Sequence, residues 1–316
     1  MTPVLDIIVV NWNVGEHLRV CLRSVLAADR SELRLGRVVV VDNGSTHDPA
    51  DGFEALALPI QVIRNADNRG FAAACNQGAA GSSADYLLFL NPDIRLLPDS
   101  LVKPIALLQK PENVRVGIVG IQLLDECGTV QRSCAHFPTV GRYLGMMLGL
   151  DRLAPRLFPS QFMVEWDHGD TRPVDQVMGA FFLVRRFLFE RLGGFDERFF
   201  VYYEEVDFSF RARREGWRSI YLTTARAYHT GGASSGQVKA QRLFYNLRSR
   251  LLFGYKHFGS GQATLLLLAT LTVEPLTRVA WAVARRVPRE VKYTLLAYVM
   301  LLCVLREIVR SGRSEV

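Results

Sequence analysis

Val38-Val39-Val40-Val41-Asp42-Asn43-Gly44-Ser45-Thr46 sets four β-branched residues in a row and then stops them with turn chemistry. A continuous run of this kind suits a strand buried on both faces rather than one with a wet side. The same grammar repeats outward from it. Residues 5–10 are apolar except for Asp6, and residues 60–63, 86–90 and 116–120 form further short apolar runs. Between them lie helical patterns: residues 17–28, with Leu18, Cys21, Leu22 and Val25 on one face, the small-residue stretch 71–80, and residues 101–108. Strands alternating with helices imply an α/β fold with a mostly parallel sheet covered on both faces. Ligands of such sheets bind beyond the carboxyl ends of the strands. Asn11-Trp12-Asn13, Asp42-Asn43-Gly44-Ser45 and Asn91-Pro92-Asp93 all follow strands, so they are expected to converge on one crevice.

Residues 128–173, punctuated by Gly and Pro, read as a mobile loop. Residues 174–184 resume apolar character. Residues 202–215 read as a helix that opens on acids and closes on Arg213 and Arg214 before Gly216, as the helix dipole prefers. Two short strands, 219–222 and 226–228, and a long helix over 238–257 follow. Beyond Gly261 the pattern is a pair of apolar-basic helices broken near Pro288.

The 316 residues, 49% hydrophobic and 22% charged, are those of a folded enzyme-sized chain. Five scattered cysteines without a Cys-x-x-Cys pair, and an N-terminal stretch interrupted by Asp6 and Asn11, lead to the expectation of a reducing cytoplasm and no cleavable leader. Charge is unevenly placed. From Arg226 onward there are 14 Lys/Arg and 4 Asp/Glu, a net of +10 against +7 for the whole chain, so residues 1–225 carry about −3. The apolar runs within this basic tail favour an anionic membrane surface over nucleic acid.

Among residues able to do chemistry, Asp42 at a strand end can accept a hydrogen bond from a pyrimidine imide or form an Asx-turn. Asp93 can hold Mg²⁺ or Mn²⁺ or serve the Asn-Pro-Asp turn. A single carboxylate is a weak metal site; His229, after the strand 226–228, can supply a second ligand, and imidazole suits Mn²⁺ better than Mg²⁺. Glu204, Glu205 and Asp207 at a helix start either complement its dipole or include a general base. Glu205 and Asp207 are two apart and cannot face the same way, so one of them at most is catalytic and the other pairs with backbone or Arg211.

Together these segments resemble the inverting family-two glycosyltransferases of GT-A fold, in the rhamnosyltransferase-like branch that builds bacterial cell-surface polysaccharide. The resemblance spans about residues 5–235 and rests on motifs in order: Ile8-Val9-Val10-Asn11-Trp12, Val41-Asp42-Asn43-Gly44-Ser45, Asn68-Arg69-Gly70-Phe71, Leu90-Asn91-Pro92-Asp93, Gly193-Gly194-Phe195-Asp196-Glu197, Glu204-Glu205-Val206-Asp207 and His229. It implies that Asn11 and Asp42 contact the nucleoside, that Asn68, Gly70 and Asn91 line the nucleotide-sugar pocket, that Asp93 and His229 bind the metal, and that Glu205 is the catalytic base. Asn91 stands where many relatives carry the first acid of Asp-x-Asp, and Glu205 where Asp is commoner; Asp207 is the other candidate base. The implied donor is dTDP-rhamnose, with galactofuranosyl, glucosyl and mannosyl donors as alternatives, and the implied acceptor is a lipid-linked glycan.

Two other classes compete with this reading. A nucleotidyltransferase needs basic residues at the first strand–helix turn, which here is Val14-Gly15-Glu16-His17, and a non-catalytic membrane scaffold sits poorly with intact Asp42, Asp93, Glu205 and His229. The expected organisation is a catalytic domain over residues 1–236 and a helical, membrane-associating region over 237–316. Residues 265–283 carry Glu274, Pro275 and Arg278, and residues 293–305 offer only 13 uncharged positions. A spanning helix wants about 20 apolar residues, so an interfacial helix pair at the cytoplasmic face of the inner membrane is expected.

Overall fold

The computed structural model describes residues 2–47, 53, 56–231 and 238–313. They form two compact units. The first comprises Met1–His136, Met163–Glu197 and Glu204–Ser234; the second comprises Phe137–Phe162, Arg198–Tyr203 and Ser235–Val316. The expected boundary at 236/237 falls outside the described residues.

The first unit is built on a nine-stranded sheet. Its leading strands are β1 (Val4–Asn11), β2 (Arg34–Asn43), β3 (Ile60–Asn65) and β4 (Tyr86–Leu90), followed by the short β5 (Ile94–Leu96) and the fully buried β6 (Val116–Leu124). After β7 (Cys134–Ala135) come β8 (Arg172–Val174), β9 (Gln176–Val177), β10 (Phe181–Arg185) and β11 (Arg218–His229). The order is β3-β2-β1-β4-β10-β6-β11-β5, with β8 on β11, while β7 and β9 pair separately. Strands β1 to β4 are mutually parallel, as is β6 with β11; β10 runs antiparallel to both its neighbours. The chain lays β2 and β3 on one side of β1 and returns to place β4 on the other. That reversal opens a crevice at the carboxyl ends of β1 and β4.

Alternation along the strands divides two cores. Ile7, Val9, Val38 and Val40 face α1 (Gly15–Ala27) and α3 (Val102–Gln109). Ile8, Val10, Val39 and Val41 face α2 (Phe71–Ala79), with α6 (Arg186–Arg191) and α7 (Glu204–Arg214) on the same side. The small residues of α2 are dictated by close approach: a Cβ on Gly78 would lie 2.6 Å from Ile8 Cγ2. The two expected strands 219–222 and 226–228 are one strand, β11, whose register against β6 shifts between Leu222 and Arg226.

The second unit contains α4 (Val140–Met147), α5 (Leu150–Leu153), α8 (Lys239–His257), α9 (Ser260–Ala284) and α10 (Pro288–Arg313). The expectation of a loop over residues 128–173 is corrected here. Thr139 caps α4 by accepting from Arg142 N, and Val140, Tyr143 and Met147 are buried at helical spacing; Gly141 and Gly145 obscure that period in the sequence. Inside the unit Arg250 is buried and paired with Glu274, which also binds Arg278 at 2.8 Å. By length and composition α9, with a mean hydropathy of 1.4, suffices to cross a membrane. Its Leu268, Leu276 and Val283 are exposed, as are Leu295, Val299 and Leu302 of α10.

Candidate active site

The crevice begins where β1 and β2 stop. Parallel pairing sets Asn11 opposite Asp42. Asn11 Nδ2 donates to Asp42 Oδ1 at 2.9 Å and to Ser45 Oγ at 3.1 Å, while Ser45 Oγ donates to the same Asp42 oxygen at 2.6 Å. The carboxylate is therefore oriented before any ligand arrives. Asn11 is 1% exposed, and its Oδ1 has no partner among the described residues. A buried acceptor without a donor costs about 1–3 kcal/mol, so this atom is suited to a ligand N–H.

Asn68 and Gly70 are brought to the same edge but face inward. Asn68 Oδ1 accepts from Asn43 Nδ2 at 2.9 Å and from Gly70 N at 3.0 Å, and Asn43 Oδ1 accepts from Arg69 N at 3.1 Å. These bonds lash the β3–α2 turn to the end of β2. Gly44, at φ +78°, lets the two backbones meet, since a Cβ there would lie 2.8 Å from the Asp67 carbonyl carbon.

Asp93 and His229 are 136 positions apart and meet through strand pairing. β5 runs antiparallel to β11 with Ile94 opposite His229, and Thr230 N donates to Asp93 O at 3.2 Å. His229 Nε2 then lies 3.7 Å from Asp93 Oδ1, with side chains 9% and 7% exposed. That is too far for a hydrogen bond, yet it is within the span of two ligands of one divalent ion, whose bonds are each about 2.0–2.2 Å. Burial holds the His229 pKa below the usual imidazole range, against the opposing pull of Asp93, and neutral imidazole is the ligating form. Gln131 binds the other ring nitrogen, His229 Nδ1, at 2.9 Å. The pair fits a divalent cation, although among the described residues no group of three or more His, Cys, Asp or Glu is placed to hold one. Remaining ligands would have to come from substrate and water.

Glu205 opens α7 beside a residue without a side chain: a Cβ on Gly179 would lie 3.7 Å from Glu205 Cβ, Cγ and Cδ. The next residue, Ala180, accepts from Asn91 N at 2.9 Å. The Gly179-Ala180 turn thus adjoins both Glu205 and the Asn91-Pro92-Asp93 turn. Glu204 is buried, and desolvation, reinforced by Glu205, holds its carboxyl well above the ordinary carboxylate range. Asp207 is fully buried and bound to Arg211 Nε at 2.7 Å, while Arg211 also donates to Leu192 O and Gly194 O. Its carboxylate is a structural strut under the Gly193-Gly194 turn. Gln131 and Gly179 were not singled out from sequence, where neither lies in a motif.

A doubly covered, mostly parallel sheet with this polar crevice at its strand ends is the GT-A architecture of glycosyltransferases. Residues 6–193 match the model of Glycosyl transferase family 2, and the chain belongs to that family. It is 30% identical over 279 residues to an N-acetylglucosaminyl-diphospho-decaprenol L-rhamnosyltransferase of Mycobacterium tuberculosis, covering 84% of this chain and 89% of that one. It is 32% identical over 168 residues to the rhamnosyltransferase WbbL of Escherichia coli, covering 52% and 60%. A mannosyltransferase of Pyrobaculum calidifontis, solved with GDP-Man and Mn²⁺, shares the fold at 16% identity with a TM-score of 0.55, covering 99% of this chain and 84% of that one. The protein is a glycosyltransferase.

Proposed function

We propose that this enzyme transfers L-rhamnose from dTDP-rhamnose to a lipid-linked glycan acceptor, by single displacement with inversion, in bacterial envelope polysaccharide synthesis. The observation that carries the chemistry is the buried Asp93–His229 pair one bend away from Glu205. The choice of sugar and acceptor leans on similarity to the decaprenol-linked rhamnosyltransferase.

Asn11 and Asp42 take the nucleobase: the partnerless Asn11 Oδ1 accepts a pyrimidine N–H, and Asp42 holds the asparagine in place. Asn68 and Gly70 shape the donor pocket through the turn they fix, and Asn91 sets the direction of the Asn-Pro-Asp turn through its bond to Ala180. Asp93 and His229 would hold Mg²⁺ or Mn²⁺, which supplies positive charge to the departing diphosphate. Glu205 accepts the proton of the acceptor hydroxyl as its oxygen attacks the anomeric carbon and the nucleoside diphosphate leaves.

Residues 237–316 are assigned to the cytoplasmic face of the inner membrane, lying on it rather than crossing. A buried Glu274 bound to two arginines in mid-helix suits an interfacial α9 better than a spanning one. Arg285, Arg286, Arg289 and Arg310 suit anionic headgroups. Trp281 carries the guanidinium groups of Arg152 and Arg285 within 6 Å of its ring, an amphipathic cluster of the kind found at headgroup level. The reading is tested by a donor screen scored for nucleoside diphosphate release with a polyprenyl-diphosphate acceptor. Turnover only with a sugar other than rhamnose overturns the donor, and full turnover in EDTA overturns the metal.

A further inference from the structure

Gln131 lies between β6 and β7, and its position is built rather than incidental. Asp125 N donates to Thr129 O, and Asp125 Oδ1 accepts from Cys127 N at 2.9 Å and Thr129 N at 2.8 Å. Gly128, at φ +80°, closes this turn by donating to Asp125 O. Leu124 and Val130 then bridge in antiparallel fashion, and Gln131 N donates to Leu123 O at 2.8 Å. The returning strand is therefore fixed to the end of β6, whose Leu124 is in register with Tyr228, the neighbour of His229.

From this mount the Gln131 amide grips His229 at two points. Its Nε2 donates to the His229 carbonyl oxygen at 2.8 Å, and its Oε1 lies 2.9 Å from His229 Nδ1. A carbonyl oxygen can only accept, so the NH₂ end of the amide must face it. The opposite end, facing Nδ1, is then the oxygen, which also only accepts. Nδ1 must carry the proton, and in the neutral ring the lone pair is left on Nε2. We infer that Gln131 is a positioning residue that fixes His229 in its Nδ1–H tautomer and aims the Nε2 lone pair toward Asp93, presetting the ring to ligate a divalent cation. This rests on the metal reading of Asp93 and His229. Asn is a methylene too short for both bonds, Lys cannot accept, and a carboxylate would face the carbonyl oxygen; Gln serves both ends.

The test uses the full chain and Mn²⁺ alone, titrated by electron paramagnetic resonance, together with ¹⁵N-histidine spectra of the metal-free protein. Gln131→Met keeps the length and removes both bonds; Gln131→Glu keeps an acceptor for Nδ1–H. Wild type should show His229 protonated at Nδ1. Gln131→Met should lose that signature and weaken Mn²⁺ binding about 10–100-fold, the usual effect of an outer-shell partner, with the thermal transition retained. Gln131→Glu should keep the tautomer and bind closer to wild type. Unchanged tautomer and affinity in Gln131→Met overturn the inference. If Mn²⁺ binding in wild type is absent or indifferent to His229→Ala, the metal reading falls, and the metal-free spectra still decide whether Gln131 sets the ring.

Discussion

Glu205 and Asp207 offer the sharpest separation of catalysis from stability, because their surroundings differ so strongly. Asp207 is 0% exposed and paired with Arg211, whose side chain is 19% exposed. Breaking a buried pair by removing one partner costs about 3–5 kcal/mol. Arg211 keeps its bonds to Leu192 O and Gly194 O and touches solvent, so the lower end of the range applies to Asp207→Asn, roughly 3 kcal/mol. In a unit of this size each kcal/mol shifts the melting temperature by about 2–4 °C, so a loss of roughly 6–12 °C is expected. Turnover per folded molecule, measured well below the transition, should stay within a few-fold of wild type. Glu205→Gln should do the reverse: a melting temperature within a degree or two, donor binding retained, and a kcat lower by about 10²–10⁴-fold, the usual worth of a positioned base. Differential scanning fluorimetry and nucleoside diphosphate release on the same preparations read both quantities. An Asp207→Asn enzyme that melts normally and does not turn over would refute the assignment and make Asp207 the base.

Gly179→Ala places a methyl at ordinary contact distance, 3.7 Å from Glu205, and should be tolerated, whereas Gly179→Val should lower kcat with little change in donor KM. Gly44→Ala forces a side chain into a left-handed backbone against the Asp67–Asn68 backbone, so it should cost about 1–3 kcal/mol and raise donor KM, read by melting and kinetics. Burial lowers the His168 pKa below 6.5, so the folded state binds its proton less readily than the unfolded state. Its contribution to stability is complete above about pH 6.5 and declines as pH falls below it, and in His168→Asn, which tolerates the φ of +60°, that part of the pH dependence should vanish from urea titrations. Leu153→Asp with Leu157→Asp, at positions 81% and 78% exposed, should reduce sedimentation with anionic vesicles while leaving melting unchanged; unaltered sedimentation removes that segment from the membrane surface.

What the sequence disclosed followed the physics of each signal. Buried parallel strands announce themselves as unbroken β-branched runs, so the four valines ahead of Asp42 located β2, and the crevice followed from where such runs end. The acid-first composition of Glu204 to Asp207 marked a helix start, but the choice between carboxylates needed burial and partners, which one chain of letters does not contain. Helix α4 was missed because two glycines interrupt its apolar period. Gln131 had no local signal at all: its meaning depends on a tight turn returning it to a strand end almost a hundred positions away in the chain. Resemblance put Asn68 along the donor pocket, while the bonds its Oδ1 accepts from Asn43 and Gly70 emerge only in three dimensions.

Strand β5 is three residues long, sits at the sheet edge and has β11 as its sheet neighbour. Asp93 at its mouth is therefore held in place by a segment made 125 to 136 positions later on the ribosome. A growing chain can assemble β1 to β4, and with them the Asn11–Asp42 pair, long before Tyr228 and His229 emerge. Through that interval the ends of β1 and β2 are formed while Glu205, Tyr228 and His229 are still to come. On the roles proposed for Asp93, Glu205 and His229, turnover waits for β11, the last strand among the described residues, so an unfinished polypeptide would not spend activated sugar.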